Sequence, residues 1–287
     1  MQRRQDWMRE YLVDEGQEPL GFVASAKEGD EIGPLARRIR EGLGLGQNWA
    51  EQHPTYDVAL RRLRRAVEDV GILIFINGVV GNTTHRKLDP DEFQGFVLID
   101  DIAPLVFVNG ADYKSAQMFT IAHELAHVWV GTSTLFDFQA TQPSNVAVEK
   151  YCNRVAAEFL VPAEKLRDAW PNAVEGDATF EILASRFKVS QIVVARRAKD
   201  CKLIRAEEFF AFYKRRREAE ETNSARKAKG GNFWNTQNTR VGRRFGQAVV
   251  TAALDGRLSY TDAYDLVGLR GETFDTYTRR VLDGGGA

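Results

Sequence analysis

Apolar residues recur at three- and four-residue spacings through Tyr56–Val70, at Ala59, Leu60, Leu63, Ala66, Val67 and Val70. That period marks one face of a helix, and Gly71 supplies its stop. The pattern then changes. Ile72–Ile76 is an unbroken apolar run of strand length, and Phe93–Asp100 and Leu105–Asn109 read as two further strands around a turn at Asp100-Asp101, with Gly78–Pro90 as a loop. The helical period returns in Ala116–Val130, where Phe119, Ala122, Ala126 and Trp129 share a stripe, and again in Val148–Pro162. The order predicts an α+β unit: a small mixed or antiparallel sheet followed by helices that bury it.

Residues on either side are helical in pattern but more highly charged. Residues 1–50, broken at Pro19, Gly33-Pro34 and Gly42–Gly46, read as an N-terminal extension to a core unit over 51–170. Phe180–Ile204 reads as helix, turn at Val189-Ser190, helix, with Ser190 capping the second. This helix-turn-helix-like unit makes up 171–229 together with a charged helix and linker containing Lys214–Arg217, Glu218–Glu221 and Arg226–Lys229. Residues 230–287 form a small helical C-terminal region, with Phe233-Trp234, Val241, Phe245, Val249 and Leu254 at roughly helical spacing. Arg196, Arg197 and Lys199 suit phosphates, so DNA binding is open, although the same pattern serves as a packing element and that reading is preferred. Arg240, Arg243 and Arg244 form a second basic face, read as solvated.

Composition narrows the class. A formal net charge of −1 over 287 residues argues against a nucleic-acid or anionic-membrane binder over the whole surface. Two cysteines, Cys152 and Cys201, make no disulfide framework and fit a reducing compartment. No stretch approaches the roughly 18 consecutive apolar residues a span needs, and the first ten residues lack an apolar signal core. A cytoplasmic protein with no membrane partner is expected.

The chemistry concentrates in His123-Glu124-Leu125-Ala126-His127. On a helix, residues four apart lie one turn apart on one face, so two neutral imidazoles can bind a single Zn²⁺. Glu124, beside the first histidine, is placed to take a proton from a water that the metal has acidified to a pKa of roughly 7. Glu149, read as opening the next helix, is the candidate third ligand of a His₂Glu site, and Asn153 one turn later is placed to fix the orientation of a ligating histidine. Cys152 and Glu158 compete for the ligand role less well. A free cysteine is more often a small buried hydrophobe, and Glu158 lies about two and a half turns from Glu149. His85 and Arg86 in the loop are read as surface residues, and His53 has no partner at metal-ligand spacing.

Four stretches carry a family resemblance: Gln94–Asp100, Ala103–Asn109, Phe119–His127 and Glu149–Pro162. Together they resemble the ImmA/IrrE metallopeptidases, whose pattern places its Glu and Asn on Glu149 and Asn153. Cys152 stands where the family has alanine, Phe159 where it has leucine and Val161 where it has methionine. The resemblance implies a zincin-like, zinc-dependent endopeptidase whose partner is a protein substrate, a helix-turn-helix repressor encoded nearby in a phage, mobile-element or stress response. In zincins an edge strand receives the substrate, which offers Phe93–Asp100 or Leu105–Asn109. Two other readings stay open: a DNA-binding regulator on the same scaffold, and the toxin-side partner of a small DNA-binding antitoxin.

Overall fold

The computed structural model describes residues 1–81, 83, 85–132, 143–170, 177–223 and 233–283. Its sheet has three strands, β1 (Leu73–Asn77), β2 (Gly95–Leu98) and β3 (Leu105–Asn109), in the order β1-β3-β2. β1 runs parallel to β3, with Phe75 opposite Phe107, and β2 runs antiparallel to it, with Phe96 opposite Phe107. The sheet is therefore mixed, and β3 is its middle strand. Both of its edges are paired, so Leu105–Asn109 has no edge to offer a peptide; β2 has an edge that is unpaired among the described residues.

Alternation along the strands sends residues to two different cores. Ile74, Ile76, Val97, Val106 and Val108 face the cluster built on α3 (Tyr56–Asp69), α4 (Lys114–Val130) and α5 (Pro143–Leu160). Leu73, Phe75, Leu98, Leu105 and Phe107 face the other way, onto α1 (Gln2–Asp14), α11 (Arg243–Leu254) and α13 (Glu272–Leu282). Coverage of both faces is what an unbroken apolar strand requires. The chain closes the second face with its first and last helices. Glu68, buried near the end of α3, accepts the backbone N–H groups of Arg243 and Arg244 at 2.6 and 3.3 Å, tying the start of α11 to the first core.

The N-terminal segment also braces α4. That helix ends at Gly131 in the left-handed conformation (φ 78°), where a Cβ would meet the Cβ of Ala24 at 2.5 Å. Ala24 and Ala26 donate backbone N–H groups to the carbonyls of Val128 and Trp129 at 3.0 and 2.8 Å, and Phe22 stacks on Trp129 with ring centroids 4.5 Å apart. On the opposite side α2 (Ile32–Gly42) packs on α5, and the Arg40 guanidinium donates to the Glu158 and Phe159 carbonyls near its end.

α6 (Ala163–Ala169) follows Pro162, and then come α7 (Asp177–Phe187) and α8 (Gln191–Asp200), the helix-turn-helix-like pair. Ser190 caps α8 by accepting the Val193 N–H at 3.2 Å. Of the three cations assigned to phosphates, only Arg196 is fully exposed. Arg197 donates to the Val161 carbonyl and pairs with Glu158, both largely buried, while Lys199 pairs with Asp200 and lies 5.1 Å from the Phe209 ring. α9 (Ala206–Asn223) packs on this unit, with Phe212 against Phe180. The basic run Arg226–Lys229 and the Gly230-Gly231 linker lie outside the described residues. α10 (Phe233–Val241) and α12 (Tyr260–Val267) complete the helices. No helix among the described residues is long and apolar enough to cross a membrane.

Candidate metal centre

α4 lies between the sheet and α5, so most of its residues from Gln117 to Trp129 are buried and its two histidines face α5 rather than solvent. His127 is buried and His123 nearly so. Their Nε2 atoms stand 3.0 Å apart. Across from them on α5, the Glu149 carboxylate places one oxygen 3.1 Å from His123 Nε2 and the other 3.2 Å from His127 Nε2. Among the described residues these three form a group able to hold a metal ion.

The spacing can be tested against a metal's demands. Ligand atoms about 2.0–2.1 Å from a tetrahedral centre stand about 3.3 Å from one another. The observed separations of 3.0–3.2 Å come close to that figure, with each imidazole nitrogen met by a different oxygen of Glu149. The two facing imidazole nitrogens are satisfied either by an N–H that one ring donates to the other or by a metal between them. The donors, two nitrogens and a carboxylate with a free side toward solvent, suit an open site.

α5 begins earlier than the sequence pattern indicates, at Pro143, whose fixed φ favours the first helical position. Glu149 therefore sits in the second turn, not the opening turn, and the position matters because it brings the carboxylate level with both histidines. It is half-exposed, and its bonds to His123 and His127 hold its pKa far below the ordinary carboxylate value. Desolvation opposes the charge on His123, but Glu149, Glu124 and the Asn153 amide outweigh it and raise that pKa. Asn153 itself is exposed on α5.

Glu124 is 4% exposed, and its Oε2 has no hydrogen-bond partner among the described residues. Burial pushes its pKa up to about 7, with the His123 charge pulling it down and Glu149 adding to the rise. A carboxyl poised at that value exchanges protons readily near neutrality, which is what a general base needs.

Two further residues shape the centre and carry no motif signal. Thr132, just past the end of α4, places its hydroxyl 2.8 Å from His127 Nδ1 and so fixes the ring. Gly95 on β2 makes the room beside Glu124: a Cβ there would meet Thr120 Cγ2 at 2.5 Å, the Phe107 carbonyl at 2.7 Å and Glu124 Oε1 at 3.6 Å. The remaining candidates stand apart. Cys152 is fully buried in the first core, with burial raising its thiol pKa, and is not among the clustered donors. Glu158 is spent on Arg197 and on the Ala163 N–H. His85 and Arg86 are exposed, and His53 sits against Trp49.

Residues 67–199, which run from the end of α3 into α8, match the model of a peptidase family described as the IrrE N-terminal-like domain. Residues 241–280 match a domain of unknown function. No curated protein matches the chain. Among solved structures, a Mycobacterium tuberculosis transcriptional regulator is similar at 20% identity and a TM-score of 0.38, over 68% of this chain and 51% of that one. The chain thus spans about half the length of that regulator.

Proposed function

Because residues 67–199 form a domain of the ImmA/IrrE family, we propose that the protein is a zinc-dependent endopeptidase acting through His123, Glu124, His127 and Glu149. The observation that carries this reading is the convergence of both Nε2 atoms and the Glu149 carboxylate, with contacts of 3.0–3.2 Å, beside a buried Glu124 whose Oε2 has no partner among the described residues.

His123, His127 and Glu149 would hold the metal. When bound, zinc would acidify water and polarise a peptide carbonyl. Glu124 accepts the proton of the attacking water on its carboxylate and returns it to the departing amine. Its raised pKa suits both transfers, since a group titrating near neutrality is neither too weak a base nor too weak an acid. Thr132 keeps the His127 ring from rotating, and the half-exposed Glu149 leaves one side of the centre open to substrate.

For the substrate, the family resemblance supports a helix-turn-helix repressor encoded near this gene. The engagement of Arg197 with Glu158 and Val161 draws support away from the alternative of DNA binding through α8. The test is incubation of the zinc-loaded protein with the repressor-like product of an adjacent reading frame. The wild type should cut it, whereas Glu124→Gln should retain zinc and lose about 10²–10⁴-fold in rate. An uncut repressor overturns the substrate assignment, and equal cleavage by Glu124→Gln overturns the role of Glu124.

A further inference from the structure

The face of the sheet turned away from His123 is incompletely filled. Between the strands, α1, α10 and α12 lies a cavity of about 490 Å³. Its apolar wall is a stack of three rings: Phe93, Phe96 and Phe107 have centroids 5.1–6.3 Å apart and lie nearly parallel. Arg4 from α1 and Arg240 from α10 also line it. The one acid on its rim, Asp265, is engaged by Arg270 at 3.2 Å and Arg3 at 3.9 Å.

The two lining arginines have no carboxylate partner among the described residues. Arg4 donates to the Arg240 backbone carbonyl at 3.1 Å and lies over Phe75 and Phe245, 5.1 and 5.5 Å from their centroids. Burial lowers its pKa to about 10. Arg240 has a buried Nε with no hydrogen-bond partner among the described residues, and desolvation lowers its pKa as well. A largely buried cation such as Arg4 is costly without a counter-charge, and the cost falls when an anion enters. A cavity of a few hundred Å³, mostly apolar and with a few convergent polar groups, has the dimensions and chemistry of a small-molecule site.

We propose that this cavity binds a small organic anion with a flat apolar body, the body against Phe93, Phe96 and Phe107 and the anionic head against Arg4 and Arg240. The binding does not depend on the peptidase reading. It does have a route to the metal centre: Phe96 faces the cavity, while its neighbour Gly95 abuts Thr120 on α4, beside Glu124. An occupant pressing on Phe96 bears on the strand that borders the general base.

The probe is anilinonaphthalene sulfonate, a fluorescent aromatic anion, titrated into the full-length protein beside its uncharged counterpart phenylnaphthylamine. Binding should saturate at one probe per chain, exceed the neutral compound in affinity by at least about tenfold, and be displaced by benzoate. Arg240→Gln should weaken it about tenfold or more, and Arg240→Lys, which keeps the charge, should retain most of it. Non-saturable binding, equal affinity for the neutral probe, or an unchanged affinity in Arg240→Gln overturns the proposal. Should Arg240→Gln not fold, Arg240→Lys and the neutral probe still decide it.

Discussion

Gly95→Ala should damage the fold and the centre together, and its size follows from three distances. An added Cβ would stand 2.5 Å from Thr120 Cγ2 and 2.7 Å from the Phe107 carbonyl, where ordinary contact begins at 3.4 Å. The carbonyl belongs to the middle strand and cannot retreat, so β2 must move away from β3 or α4 must give, by about 0.7–0.9 Å. Overpacking of this kind costs about 1–3 kcal/mol. An unfolding entropy of about 0.6 kcal/mol/K for 287 residues converts that to a fall in Tm of about 2–5 °C. Because Glu124 lies one turn beyond Thr120 on α4, a displacement near 1 Å should also lower kcat by about a hundredfold. Calorimetry and a cleavage assay measure the two effects. Thr120→Ser removes the closest methyl, so the double variant should recover part of the loss in Tm, with a coupling of about 0.5–1 kcal/mol. An alanine variant with wild-type Tm and activity would refute the packing argument, and equal Tm values for the single and double variants would refute the part assigned to Thr120.

The other predictions concern single contacts. Glu149→Ala should reduce zinc after mild dialysis from about one per chain to a small fraction, measured by elemental analysis, because it removes one of three ligands. Thr132→Val keeps the shape of the side chain but removes the hydroxyl at His127 Nδ1; competition with a chelator should show zinc affinity about 10–100-fold lower at unchanged Tm. Arg197→Met should lower stability by about 3 kcal/mol in urea denaturation, since it strands the largely buried Glu158 carboxylate.

The residues that can be read from sequence are those whose partners lie within a few turns. His123 and His127 find each other through helical spacing alone. Glu149 is readable because a carboxylate on the next helix is a small extrapolation, although the start of that helix is not: Pro143 lies six residues upstream of it, beyond an apolar stripe that begins only at Val148. Thr132 and Gly95 give no such signal. A threonine after a helix and a glycine in a strand are ordinary in sequence, and what distinguishes them is a ring nitrogen 2.8 Å away in one case and a helix pressed on the strand in the other.

The strands show the same boundary at the level of the fold. Ile72–Ile76 is apolar throughout and Leu105–Asn109 at every position but the last, and a strand of that kind must be covered on both faces. The α3–α4–α5 side accounts for one face only, so the pattern itself demands a second cover. It does not say which segment supplies it. The cover comes from residues more than 200 positions apart, as in the Arg4 bond to the Arg240 carbonyl, and no local period links them. That distant pairing leaves the arginines and the phenylalanine stack around one cavity, on the reverse of the strand whose glycine makes room for Glu124. A strand only four residues long, paired on one edge, is the element in this molecule best placed to carry a displacement from one face to the other.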